Sequence, residues 1–175
     1  FWLKDDHDTH ANDSWPTRNA KVLQPFTFVE GQRVFREQVP IEAGDAIVDI
    51  GCGDAFVIGA LARTYPSATF FGVDSALSDS AIAARRRELP GNVHLYRDLD
   101  EVPLTRPAAL VLLMDVIEHI EDDRGELELA RDHLNSGGVV TVVAPAHQCL
   151  YTPFDASIGH HRRYNKASLR KITPN

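Results

Sequence analysis

Ile47-Val48-Asp49-Ile50-Gly51-Cys52-Gly53-Asp54-Ala55 is the stretch on which the fold turns. An apolar run ends in a carboxylate, and two glycines one residue apart follow at once. Such a run predicts a buried strand that turns sharply into a helix, leaving bare backbone where a ligand can lie against it. A second apolar run, Ala68 to Val73, ends in Asp74. A carboxylate at the tip of the second strand suits hydrogen bonds to the two hydroxyls of a ribose. Together the two segments predict a nucleoside cofactor held across the first two strands of an α/β sheet.

Outward from this pair the pattern alternates. Strands are predicted over about 46–50, 68–73, 93–96, 108–114 and 139–144. Helices are predicted over about 55–65, 76–89 and 123–134, the second stopped by Pro90-Gly91. Acidic residues at the start of the third helix and Gly137-Gly138 beyond its end suit the helix dipole and a C-cap. Strands that are apolar on both faces and separated by helices imply a doubly wound, mostly parallel sheet with helices on both faces. Residues 43–175 are read as this domain. Residues 1–42 are read as an N-terminal helical or lid segment: polar to about residue 19, where it is either frayed or folded over the site as a lid, and helical over about 28–39. An irregular stretch follows from about 145 to 165, then the start of a helix at Lys166.

The loop itself favours one kind of cofactor. A dinucleotide fingerprint needs a small residue at its sixth position, where this chain has Phe56. Asp49 places a negative charge where a pyrophosphate would not want it. It suits instead the ammonium of an amino-acid group, held directly or through water. A ligand with a ribose and a cationic amino-acid end is S-adenosylmethionine.

Residues 46 to about 144 resemble class I S-adenosylmethionine-dependent methyltransferases of the small-molecule type. Val48 to Ala55 is similar to the first family motif, with Ala55 in place of its usual third glycine. Gly72-Val73-Asp74-Ser75, Tyr96-Arg97-Asp98-Leu99, Leu112 to Ile120 and Leu134 to Val140 resemble further family segments in the right order. The resemblance implies a Rossmann-like fold, here without the last two strands that family members add. It implies that Gly51 and Gly53 admit the cofactor to the backbone and that Asp74, with Ser75, meets the ribose. Asp98 and Leu99 are then expected at the adenine, and Met114, Asp115 and Val116 beside the methionine portion. His119 lies one helical turn after Asp115 and is a further candidate. Arg18 is expected to meet the cofactor carboxylate, as a forked guanidinium would.

Composition narrows the function classes. The 175 residues are 43% hydrophobic and 25% charged, enough for one domain with a sizeable core. A net charge of −7 argues against nucleic acid as a partner. No apolar run approaches the roughly 20 residues of a membrane span. Two cysteines, Cys52 and Cys149, make neither a disulfide framework nor a zinc site, and a cytoplasmic protein is expected.

The segment Tyr151-Thr152-Pro153-Phe154-Asp155, continuing to Gly159-His160-His161-Arg162-Arg163-Tyr164, is the most unusual. It resembles a loop that borders the substrate pocket in one methyltransferase subgroup. His160, His161 and Tyr151 are the catalytic candidates, a histidine acting as base toward a hydroxyl. The cationic run suits an anionic small molecule, or else braces the loop through pairs such as arginine with Asp155. No metal is expected, because the adjacent side chains of His160 and His161 diverge. The reaction expected is transfer of the sulfonium methyl to a small-molecule acceptor, leaving S-adenosylhomocysteine. The competing readings are a non-catalytic cofactor-binding protein and, against Phe56 and Asp49, an NAD-dependent oxidoreductase. The acceptor atom and the oligomeric state stay open.

Overall fold

The computed structural model describes residues 20–23 and 41–174. In chain order these form β1 (Ala20–Leu23), β2 (Ala46–Ile50), α1 (Phe56–Thr64), β3 (Thr69–Val73), α2 (Asp79–Arg85) and β4 (Val93–Tyr96). There follow β5 (Ala108–Met114), α3 (Asp123–Asp132), β6 (Leu134–Val143), α4 (Pro153–Ser157) and α5 (Lys166–Ile172). Short 3-10 turns cover Leu99–Glu101, Ile117–His119 and Gln148–Leu150. The strands make one sheet in the order β1-β6-β5-β2-β3-β4, parallel throughout.

Alternation along each strand divides the core between two faces. Ile47, Phe70, Leu110 and Leu112 pack with Ile58, Leu61 and Ala62 of α1. Their neighbours Val48, Phe71, Val111 and Leu113 pack with Leu127 and Ala130 of α3 and Leu169 of α5. Both faces are therefore covered, which is why these strands carry unbroken apolar runs. Each fully buried Leu, Ile or Phe contributes about 1.5–3 kcal/mol by leaving water. Strand order reverses between β2 and β5. Ligands of such sheets bind at that crevice, outside the carboxyl ends.

The differences from the sequence reading are local. The second helix starts later than residue 76, because Asp74 binds the N–H of Ala76 in a turn at 2.9 Å and Ser78 caps the helix through the N–H of Ala81. The last strand begins at Leu134, which pairs with Ala108 across an irregularity in the ladder. Ala20–Leu23, for which the sequence suggests no element, forms a parallel strand beside β6. Arg18 and the helix read over 28–39 lie outside the described residues. No described helix is long and apolar enough to cross a membrane.

Candidate functional site

The glycine loop is held by backbone bonds to the neighbouring strand. The N–H groups of Gly51 and Cys52 donate to the Val73 carbonyl at 2.8 and 3.1 Å. Gly51 and Gly53 have φ of 71° and 53°. The two glycines are needed for different reasons. A Cβ on Gly51 would stand 2.5 Å from Cγ2 of Val116, in the turn after β5. A Cβ on Gly53 would meet nothing, so that site is open and only its left-handed backbone calls for glycine. Ala55, where the family motif has its third glycine, is fully buried at φ 60° and opens α1. A left-handed alanine stores about 1–3 kcal/mol of strain, which the packed surroundings must hold.

Asp74 sits at the tip of β3. Its Oδ2 accepts from the Gly53 N–H at 2.9 Å and its Oδ1 from the Ala76 N–H at 2.9 Å. The carboxylate thus ties the glycine loop to the strand tip, and each oxygen keeps lone-pair capacity for a hydroxyl. Asp49 lies in register with Gly72 and Leu112. It is only 1% exposed, and its Oδ1 has no hydrogen-bond partner among the described residues. Burial, with the Asp74 charge adding to it, pushes the carboxyl up to about 8. Burial of the Cys52 thiol, with Asp49 and Asp74 nearby, pushes it up as well, which removes it as a thiolate nucleophile.

The other expected residues line the same edge. Asp98 is exposed, and its Oδ1 accepts from the Asp100 N–H at 3.0 Å, capping the turn that contains Leu99. Ser75 is exposed beside Asp74. Met114 ends β5 and is partly buried against the α1 side of the core, while Val116 packs on the opposite side. Asp115 takes φ 55°, and its N–H donates to the Val143 carbonyl at 2.8 Å. No hydrogen bond joins Asp115 to His119. Desolvation raises the Asp115 carboxyl, and His160 and His119 draw it back down.

The irregular stretch after β6 folds back onto the Ile117–His119 turn. The His161 N–H donates to the Glu118 carbonyl at 2.7 Å, and the His161 side chain is exposed. The Tyr151 hydroxyl donates to the His160 carbonyl at 2.7 Å. Thr152 and Asp155 form a capping box that starts α4. Asp155 is buried and receives Arg163 through two bonds, Nε to Oδ1 at 2.7 Å and Nη2 to Oδ2 at 3.0 Å. That guanidinium holds the Asp155 carboxyl well below the usual range. Arg162 pairs with Asp123 at 2.7 Å and donates to the Glu121 carbonyl at 2.9 Å. The Tyr164 hydroxyl lies 2.8 Å from Asp123 Oδ2 and 3.0 Å from the Ile117 carbonyl. Both arginines are engaged in bracing the loop, the second of the two roles that the sequence left open for them.

His160 does not stand with His161. Its Nδ1 lies 3.3 Å from Asp155 Oδ1, its Nε2 faces Glu118 Oε1 at 4.0 Å, and its ring meets His119 edge-on with centroids 4.5 Å apart. Glu118 is fully buried, and neither carboxylate oxygen finds a hydrogen-bond partner among the described residues. Burial, with Asp115 adding to it, pushes Glu118 up to about 7. Glu118 was missed in the sequence because it sits in an apolar run, Val116-Ile117-Glu118-His119-Ile120, where one carboxylate reads as a solvated turn residue.

The chain belongs to the methyltransferase domain family, whose model matches residues 26–173. It is 30% identical to the trans-aconitate 2-methyltransferase of Rhizobium etli over 108 residues, 62% of this chain and 41% of that protein. It is 32% identical to the ubiquinone biosynthesis O-methyltransferase of Dinoroseobacter shibae over 100 residues, 55% of this chain and 40% of that protein. The chain therefore spans well under half the length of these relatives. Among solved structures, an O-methyltransferase from neocarzinostatin biosynthesis, in complex with S-adenosylmethionine and 2-hydroxy-5-methyl naphthoic acid, superposes with TM-score 0.60 at 22% identity. That match covers 73% of this chain and 41% of that one, and it speaks for the fold.

Proposed function

We propose that this chain binds S-adenosylmethionine across the carboxyl edge of β2, β3 and β5 and transfers its methyl group to a small-molecule acceptor. The observation that carries the reading is Asp49, a fully buried carboxylate with an unpartnered oxygen at the foot of the glycine loop. A cationic amino-acid end would supply the missing partner, and Asp74, at the tip of the adjacent strand, would meet the ribose. In this reading Ser75 assists Asp74, Asp98 and Leu99 border the adenine, and Met114, Asp115, Val116 and His119 flank the methionine portion. Arg18 would take the carboxylate.

The acceptor's lone pair attacks the methyl carbon, and the carbon–sulfur bond breaks with its electron pair going to sulfur. S-adenosylhomocysteine leaves, and the acceptor's own proton passes to solvent or to a base. The sulfonium is already a strong electrophile, so the protein's part is alignment and exclusion of water. The names of the relatives, a trans-aconitate methyltransferase and an O-methyltransferase, favour a carboxylic acid or another oxygen acceptor. Arg162 and Arg163 are committed to Asp123 and Asp155, so an anionic acceptor would be recognised by other groups. The free thiols of Cys52 and Cys149 support a reducing, cytoplasmic setting.

The test is incubation of the purified chain with methyl-labelled S-adenosylmethionine and a panel that includes trans-aconitate and catechols. Label in a product, with one S-adenosylhomocysteine formed per methyl transferred, is expected for at least one acceptor. Tight cofactor binding with no transfer across the panel would favour the non-catalytic reading.

A further inference from the structure

We propose that Glu118, His119 and His160 form a binding site for one divalent first-row transition ion. Three independent features converge on it. One oxygen of Glu118 and one ring nitrogen from each histidine lie within 4.8 Å of one another, a spread that modest side-chain rotation draws onto an ion with bonds of about 2.0–2.2 Å. Glu118 is fully buried with both oxygens unpartnered, and it faces this cluster. A buried carboxylate without a hydrogen bond is expensive unless a cation or a proton meets it.

The third feature is the tautomer that the surroundings impose on His160. Asp155 stays ionised against Arg163 and accepts at 3.3 Å from Nδ1, so the Nδ1 proton is fixed there. In the neutral ring Nε2 then carries a lone pair, and that lone pair points at Glu118 Oε1 4.0 Å away. Two acceptors facing each other in a dry place repel, and an ion between them converts the repulsion into two bonds. A carboxylate that orients a histidine from its far nitrogen is also how proteins hold metal-ligating imidazoles. Gly159, at φ 84°, turns the chain just before His160, and a Cβ there would come within 3.5 Å of His119 Nδ1.

Two imidazoles and one carboxylate suit Zn²⁺, Co²⁺ or Mn²⁺. Ca²⁺, which wants six or more oxygens, and Mg²⁺, which keeps oxygen ligands, fit less well. His119 is exposed, so the site opens to solvent on that side and leaves positions for water or an oxygen ligand. Asp115, whose carboxyl feels both rings, adds negative charge at the same mouth. The ion would join the turn after β5 to the loop after β6, two segments otherwise linked by the His161, Arg162 and Tyr164 contacts. This inference does not depend on the proposed cofactor.

The test is calorimetric titration of the chelator-treated chain with Zn²⁺, Mn²⁺ and Mg²⁺, with Co²⁺ followed by its visible absorption. One equivalent of Zn²⁺ and of Co²⁺ should bind at micromolar Kd or tighter, Mg²⁺ at least a hundredfold more weakly, and the bound ion should raise Tm. Glu118→Gln keeps the shape and removes the charge, and His119→Ala truncates an exposed ring. Each should weaken Zn²⁺ at least tenfold while the metal-free Tm stays at or above that of the parent in the first case. Absence of a stoichiometric Zn²⁺ or Co²⁺ site would overturn the proposal. Binding that survives both substitutions undiminished would overturn it equally. S-adenosylhomocysteine affinity of the parent chain and of Glu118→Gln, measured in parallel, reports whether the cofactor edge is intact, so loss of that reading is seen separately.

Discussion

Replacing Asp49 by asparagine should make the ligand-free chain more stable at neutral pH and less stable in acid. The carboxyl titrates near 8 in the folded chain and near 3.8 when unfolded. A folded pKa raised above the unfolded one favours folding at low pH, and that contribution is lost as pH rises through the window between the two. At pH 7 the folded group holds a proton that the unfolded chain has released, over roughly 3 pH units, which costs about 4 kcal/mol at 1.36 kcal/mol per unit. Asparagine removes this cost. It introduces an amide N–H₂ in a site that gives Oδ1 no partner, at about 1–3 kcal/mol. The net expectation is a gain of about 1–3 kcal/mol at pH 7 that shrinks and reverses toward pH 4. Urea denaturation of both chains at several pH values reads it directly, through the midpoints at constant slope. A difference that does not change with pH would refute the argument, because it would mean that Asp49 has the same protonation folded and unfolded.

Three further outcomes are expected. Asp74→Ala should weaken S-adenosylhomocysteine binding by roughly 1–3 kcal/mol in calorimetry, through lost ribose bonds and a loosened Gly53 N–H; unchanged affinity would remove Asp74 from the site. Gly51→Ala should cost about 1–3 kcal/mol of stability, because its Cβ would stand 2.5 Å from Val116 Cγ2 at a left-handed φ, and a denaturation midpoint equal to the parent's would contradict that packing. Arg162→Ala leaves the nearly buried Asp123 without its cation and should lower stability by about 1–3 kcal/mol, with cofactor affinity retained. If stability held while turnover fell, Arg162 would belong to the substrate side after all.

Much of the sheet was legible because its strands are covered on both faces. Ala108 to Met114 is an unbroken apolar run preceded by Pro107, and Thr69 to Val73 is a nearly apolar run closed by Asp74; their shortness and branched or aromatic residues favour buried strands over helices. Ala20–Leu23 was not legible, since four residues containing a lysine carry neither length nor alternation. The start of β6 was hidden by Asn135-Ser136-Gly137-Gly138, which reads as a turn but lies within the strand that Leu134 has already joined. At the site, glycines and strand-tip carboxylates announce themselves by spacing. The cluster around His160 does not, because Glu118 and His160 lie 42 residues apart in sequence and meet only through the fold-back after β6. The Thr152–Asp155 capping box was the readable clue to that fold-back, and it places Asp155 where it can orient His160.

The most direct test of the central claim is calorimetric titration of the chain with S-adenosylhomocysteine at neutral pH, in two buffers of different ionisation enthalpy and with NAD as the comparison ligand. Micromolar binding, about −8 kcal/mol, is expected for S-adenosylhomocysteine alone, with release of nearly one proton as the ligand's ammonium ionises Asp49. Binding of NAD in preference, or of neither ligand, would rule out the assigned cofactor.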